Sequence, residues 1–228
     1  MTEYHKIDSV FKRDQKGNFI EGEWSRPEFD YLQDNPWVWT EKIDGTNIRI
    51  MWGDGRPIQY GGRTDNAQIP AKLIIALNNL FRPYAATITR FGSYDYGERK
   101  FSEIFKAAED VVLYGEGYGA GIQKGGGNYS PDQKFILFDV RVGNWWLKRE
   151  DVEDIAEKLG IDVVARASSP VSLRDMIYSI PKLTVPKSYV KGATALIEGW
   201  VGTPVVPLFA RNGDRIITKV KYKDFKHD

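Results

Sequence analysis

The bulky apolar residues of Trp37-Val38-Trp39-Thr40-Glu41-Lys42 alternate at Trp37 and Trp39, the period of a strand with one buried face. Asp44-Gly45 then marks a tight turn, and Asn47-Ile48-Arg49-Ile50-Met51-Trp52 predicts a second strand. GDGRP reads as a hairpin loop leading to Ile58-Gln59-Tyr60. The pattern changes to helical spacing over residues 68–82 (QIPAKLIIALNNLFR), with Pro70 near the start. A shorter helix is predicted over 98–108. Strand character returns at Val111-Val112-Leu113-Tyr114-Gly115-Glu116 and from Phe135 to Val142. Between them GYGAGIQKGGGNYSPDQK is too rich in glycine for a regular element and predicts a long loop. Residues 148–160 predict an amphipathic helix closed by Gly160, and Ser172, with Asp175 three residues on, caps a helix through Ile180. Two more strands are predicted at 194–201 and 215–221. Residues 1–36 are polar and turn-rich, with KRDQKGN as a hairpin turn. The sum is an α+β chain in which antiparallel strands dominate.

Composition narrows the chemistry. The chain has 228 residues, 42% hydrophobic and 28% charged, as in an ordinary globular protein. Its net charge is +1, so any basic surface for nucleic acid is local. There is no cysteine, which excludes disulfides and Cys-ligated zinc. The histidines, His5 and His227, stand at opposite ends, which argues against a His-based triad or a multi-histidine metal site. No run approaches the length of a membrane span and no signal peptide is evident, so a cytoplasmic protein is expected.

The candidate chemistry lies in an ordered series of short blocks. Lys42 ends an apolar strand just before a glycine turn, in Lys42-Ile43-Asp44-Gly45-Thr46-Asn47. A lysine attacks phosphorus only as the neutral amine, and neighbouring cations favour that form. Asn47 can hydrogen-bond a ribose hydroxyl or the turn backbone. Glu116, flanked by glycines in YGEGYG, can accept from ribose hydroxyls, and Phe138 offers a flat face to a purine. Glu198, at the end of Ala195-Leu196-Ile197, is costly to bury unless paired, and a magnesium ion on phosphate oxygens is one such partner. Lys219 and Lys221 are two apart, so they share a strand face suited to phosphates. Arg63, after Gly61-Gly62, can contact phosphate. Each block also has a plain structural reading: a strand-end lysine, an Asp-Gly turn, a core aromatic, a solvated strand face. No G-x-x-x-x-G-K-[ST] occurs, so P-loop hydrolysis is unsupported.

Together these blocks resemble the covalent nucleotidyltransferase superfamily of DNA ligases, RNA ligases and mRNA capping enzymes, and within it the RNA ligase 2 family. The matching segments are EKIDGTNIRI, GGRT, YGEGYGAGIQK with KFILFDV, IEGWVG and TKVKYK, from about residue 41 to 223. The GIQK segment favours RNA ligase over DNA ligase. The resemblance implies a nucleotidyltransferase (ATP-grasp-like ligase) fold of two antiparallel sheets flanked by helices, with the nucleotide cleft between them. It implies one nucleotidyltransferase domain over 1–228. Family members carry a further C-terminal domain that helps grip nucleic acid; none is expected here, and a partner protein is the candidate to supply its function.

It further implies an ATP-dependent RNA ligase in which Lys42 becomes AMP-linked. Glu41, Ile43, Asn47, Arg63 and Glu116 join Lys42 around the nucleotide. Phe138 stacks on the base with Val201 opposite. Glu198 places the metal, magnesium or manganese, and Lys219 and Lys221 bind phosphates. Lys124, Lys134, Trp145 and Trp146 are candidates for binding RNA or an RNA-containing nick. Two further departures from the family pattern stand out: Asp44 occupies a place where histidine is frequent, and Gly202-Thr203-Pro204 follows the Glu198 block in place of a lysine. The competing readings are a DNA ligase, a GTP-using capping-type enzyme, and a catalytically inactive nucleic-acid-binding module of the same fold.

Overall fold

The computed structural model describes residues 3–53, 56–81, 96–106, 110–182 and 184–225. In chain order the strands and helices are β1 (Asp8–Ser9), β2 (Phe11–Arg13), β3 (Phe19–Trp24), α1 (Pro27–Tyr31), β4 (Pro36–Lys42), β5 (Thr46–Gly53), β6 (Arg56–Gly61), α2 (Ala71–Phe81), α3 (Tyr96–Phe105), β7 (Val111–Tyr118), β8 (Lys134–Val142), β9 (Trp145–Trp146), α4 (Arg149–Leu159), β10 (Val171–Ser172), α5 (Leu173–Ser179), β11 (Gly199–Pro204) and β12 (Thr218–Lys221). The contacts among them divide the chain into two compact units, one of Met1–Tyr4 with Asp44–Val163, the other of His5–Ile43 with Val164–Asp228.

The first unit is built on a five-stranded sheet in the order β6-β5-β7-β8-β9, antiparallel throughout. Strand alternation sends Ile48, Ile50, Leu113, Leu137 and Val140 to one face. That face is covered by Leu73, Leu77 and Phe81 of α2, one turn apart, and by Val152, Ile155, Ala156 and Leu159 of α4. The opposite face carries Asn47, Arg49, Tyr114 and Glu116, paired across β5 and β7 as Asn47 with Glu116 and Arg49 with Tyr114. Gly160 closes α4 in the left-handed region at φ 70°, as the sequence predicts.

The second unit holds a five-stranded sheet in the order β1-β12-β11-β4-β10 and a two-stranded hairpin of β2 and β3. The larger sheet is antiparallel except for β1, which runs parallel to β12. Its apolar face places Trp37, Trp39, Trp200 and Val220 in a core with Phe29, Leu173 and Met176. The β2–β3 turn sits at KRDQKGN, where Asp14 accepts the amides of Gly17 on its carbonyl and of Lys16 and Asn18 on its carboxylate. The Ser172 hydroxyl accepts from the Asp175 amide at 3.0 Å and caps α5. Ser172→Ala should therefore cost about 1 kcal/mol in urea denaturation with an unchanged m-value.

The expected helices and most expected strands are present, with shifted bounds. Helix α3 begins at Tyr96, two residues early, while 107–108 and part of GDGRP lie outside the described residues. The strand expected at 194–201 starts only at Gly199 and runs on to Pro204. Residues 194–198 instead turn to the segment before them: the Ser188 amide donates to Ala195 O, and the Ile197 amide to Pro186 O. Local β-propensity in Ala195-Leu196-Ile197 is thus satisfied by a neighbouring loop and not by a sheet strand.

Candidate active site

On the polar side of the second unit's sheet, three strands bring the predicted lysines into a row. Gly199 of β11 pairs with Lys42 on one side and with Lys221 on the other. Two residues along, Val201 pairs with Thr40 and with Lys219. Side chains directly opposite one another share a face, so Lys42, Lys219 and Lys221 project the same way. Gly199 keeps the row open at its centre. A Cβ there would lie 2.1 Å from Val220 O and 2.7 Å from Lys221 Cα, so no side chain fits.

Glu198 fills the space between the outer two lysines. Lys42 Nζ donates to Glu198 Oε2 at 2.6 Å, and Lys221 Nζ lies 2.5 Å from Oε1. The Glu198 carbonyl accepts the Tyr222 amide at 3.1 Å, which fixes the residue from the β12 side. Burial pushes the Glu198 carboxyl pKa up, but attraction and hydrogen bonds from Lys42 and Lys221 outweigh it and leave it below the usual value. Lys219 is held below the ordinary lysine value first by burial and then by repulsion from Lys221 and Lys42, with Glu198 opposing.

The sign of the Lys219 shift makes a prediction. A lysine whose pKa is lowered on folding opposes folding while it is protonated, and the penalty fades as pH rises through its folded pKa toward the ordinary 10.5. Lys219→Met should raise the melting temperature at neutral pH. That gain should shrink to nothing near pH 10.5, as calorimetry across the range would show.

Glu41 and Ile43, the neighbours of Lys42, point away from that row. Ile43 is buried. Glu41 is 3% exposed, and its carboxylate accepts the Ser188 hydroxyl at 2.5 Å and the Tyr189 amide at 3.0 Å. Burial raises its pKa, and these two bonds partly offset the rise.

The first unit holds the remaining predicted residues. Gly45 lies against β7, where a Cβ would meet Gly117 O at 2.2 Å and Glu116 Cγ at 2.8 Å. The turn is tied to the GIQK segment, since Gln123 Nε2 donates to Gly45 O at 3.0 Å. Asn47 and Glu116 are cross-strand neighbours, and Asn47 Oδ1 is buried with no hydrogen-bond partner among the described residues. Phe138 sits at a bulge: Tyr114 pairs with Asp139 and Gly115 with Leu137, so Phe138 has no direct partner across the ladder. Its ring makes a T-shaped contact with that of Tyr4 (centroids 5.1 Å apart, planes at 72°), whose hydroxyl donates to the buried Asp139 at 3.0 Å. Arg63 is exposed on the loop after β6. Lys124 and Lys134 are exposed as well. Trp145 is 79% exposed, while Trp146 packs against Tyr4 and Tyr114.

Several contributors escaped the sequence reading. Arg49 is fully buried on the Asn47 face, where its Nε donates to Gly62 O and its Nη2 to Asp65, both at 2.7 Å. It anchors the loop that carries Arg63. Strand alternation from Asn47 places Arg49 on this face, but nothing local announces its partners. Tyr4, Ser188 and Tyr189 meet their partners over long sequence separations and carry no motif.

Among the described residues, no group of three or more His, Asp or Glu side chains is arranged to hold a metal ion. Glu198 is the carboxylate of the lysine row, and its two oxygens face lysines. This donor set fits a hard cation only in the mode in which a single carboxylate, phosphate oxygens and water complete the shell.

The fold matches solved structures of Naegleria gruberi RNA ligase variants. One with AMP and Mn aligns at TM-score 0.62 and 15% identity, covering 99% of this chain and 60% of that one. Another with ATP and Mn aligns at 0.61 and 16%, covering 99% and 61%. The Naegleria ligase with PPi aligns at 0.60 and 16%, covering 96% and 61%. The chain thus spans about 60% of the length of these proteins, and at such identities the likeness establishes the fold. No curated protein matches it in sequence. A family model for RNA ligase matches residues 35–221, a span that holds Lys42, Glu116, Phe138, Glu198, Lys219 and Lys221, and the chain belongs to the RNA ligase family.

Proposed function

We propose that the chain is an ATP-dependent RNA ligase that works through a lysyl-AMP intermediate on Lys42, and that its nucleotidyltransferase chemistry resides in residues 1–228 as one catalytic domain. The observation that carries this reading is the row Lys42–Gly199–Lys221 with Glu198 bridging the two ammonium groups. A structural lysine needs none of this. A nucleophilic lysine needs a fixed position, a group that holds its nitrogen, and cations beside it for the phosphates.

In the first step, Lys42 Nζ loses a proton and attacks the α-phosphorus of ATP. The N–P bond forms, the P–O bond to pyrophosphate breaks, and Lys219 and Lys221 offset the charge on the phosphoryl oxygens. AMP then passes to a 5′-phosphate of RNA, and a 3′-hydroxyl displaces it to close the phosphodiester. Asn47 and Glu116 take the ribose, which would give the orphaned Asn47 Oδ1 a hydroxyl donor. Phe138 stacks on the base, to which Val201 is a further contact, and Arg63 takes a phosphate. Magnesium or manganese held through Glu198 would neutralise phosphate charge when bound.

Glu198→Ala would leave Lys42 and Lys221 facing each other without their bridge. Adduct formation should fall at least about 100-fold, the scale of losing one preorganised electrostatic contact, while Glu198→Gln should fall less. Rapid-quench assays of label transfer would measure both. Transfer from α-labelled ATP against α-labelled GTP tests the reading as a whole. Uptake from ATP followed by passage to a 5′-phosphorylated RNA end is expected. Preferential uptake from GTP would make it a capping-type enzyme, and uptake from neither would leave a binding module.

A further inference from the structure

Glu41 precedes the proposed nucleophile, yet its side chain leaves the opposite face of β4. A carboxylate buried to 3% exposure is costly unless its oxygens are satisfied. Here each oxygen takes a donor from the same short segment, the Ser188 hydroxyl on one and the Tyr189 amide on the other. The Ser188 oxygen in turn accepts the Val190 amide at 3.2 Å. The Glu41 amide donates to Ala165 O at 2.8 Å, so backbone and side chain tie the end of β4 to two different stretches.

The segment that Glu41 holds leads into Glu198. Residues 186–197 fold back on themselves: Ser188 N–H donates to Ala195 O, Ala193 N–H to Val190 O and Ile197 N–H to Pro186 O. Tyr189 also packs its ring 6.1 Å from that of Trp200, just past Glu198. The position of Glu198 is therefore set from its N-terminal side by a loop whose anchor is the residue beside Lys42.

We infer that Glu41 is a positioning residue: its carboxylate clamps the 186–197 segment so that Glu198 stands between Lys42 and Lys221. Its carboxylate acts on phosphoryl transfer through Glu198 and not by touching the nucleotide. The inference rests on the proposed lysyl-AMP chemistry for its kinetic readout and on structure alone for its physical one.

The test compares Glu41→Ala, Glu41→Gln, Ser188→Ala and the Glu41→Ala/Ser188→Ala double variant. Glutamine can still accept from the Tyr189 amide and donate to Ser188, so it should restore most of the clamp. Amide exchange at Ser188, Tyr189 and Ile197 should quicken about 10-fold or more in both alanine variants, and much less in Glu41→Gln. The maximal rate of adduct formation should fall about 10- to 100-fold in Glu41→Ala, with half-saturating ATP within about twofold of the parent. The double variant should be no worse than Glu41→Ala, since both remove one device. A large rise in half-saturating ATP for Glu41→Ala, with Ser188→Ala like the parent, would overturn the inference and make Glu41 a nucleotide contact. Unchanged exchange would overturn it too. If Glu41→Ala does not fold, Ser188→Ala and Glu41→Gln carry the same comparison. If the parent forms no adduct, the proposed function fails, while exchange still decides the clamp.

Discussion

Lys42→Arg should fold, keep an ion pair with Glu198 and form no nucleotide adduct. Arginine preserves the charge that faces the Glu198 carboxylate, 2.6 Å from Nζ in the parent. It cannot shed a proton in the accessible pH range, so it cannot act as a nucleophile. The variant therefore separates two roles that alanine would remove together. Melting temperature should stay within a few degrees of the parent, and labelled AMP should be absent from the protein after denaturation. Lys42→Ala should also lack the adduct, but it removes one of the two ion pairs that Glu198 makes. Residual labelling in the arginine variant would mean that another lysine carries the nucleotide.

The second large effect is on folding. Gly199→Ala adds one methyl group at the centre of the lysine row, 2.1 Å from Val220 O and 2.7 Å from Lys221 Cα. Both obstacles are backbone, so relief requires β11 and β12 to separate where Gly199 pairs with Lys221. The expected cost is about 3 kcal/mol, the upper range for overpacking a well-packed site. Because the strain falls on the strand pair that spaces Lys42 and Lys221, adduct formation should be lost even where the variant stays folded. Gly127→Ala is the control, since the nearest atom to its new methyl would be Ala120 Cβ at 3.9 Å. Urea denaturation of the two variants should separate them clearly, and equal midpoints would refute the packing account.

Much of this was legible in the chain, for reasons that differ from element to element. The strand holding Lys42 shows itself by Trp37 and Trp39, two apart and so on one face. Helix α4 does so by its apolar spacing and closing glycine, and α5 by its serine cap. Lys219 and Lys221 could be placed on one face because strand period is two. What the sequence could not show was their register. That Gly199 stands between Lys42 and Lys221 depends on how three strands far apart in the chain align. The start of β11 was misplaced for a related reason, since Ala195-Leu196-Ile197 has strand composition but bonds to Pro186 and Ser188. The partners Ser188 for Glu41, Asp65 for Arg49 and Tyr4 for Phe138 lie in segments without periodicity or motif, where only tertiary packing brings them together.

The central claim is that Lys42 carries the nucleotide. Its most direct test is intact mass of the parent protein after incubation with ATP and magnesium, followed by peptide mapping under conditions that spare the P–N bond. The account predicts a gain of one AMP located on the peptide that contains Lys42, and none in Lys42→Ala. A folded, AMP-free parent protein that gains no mass, or gains it on a different peptide, would contradict it.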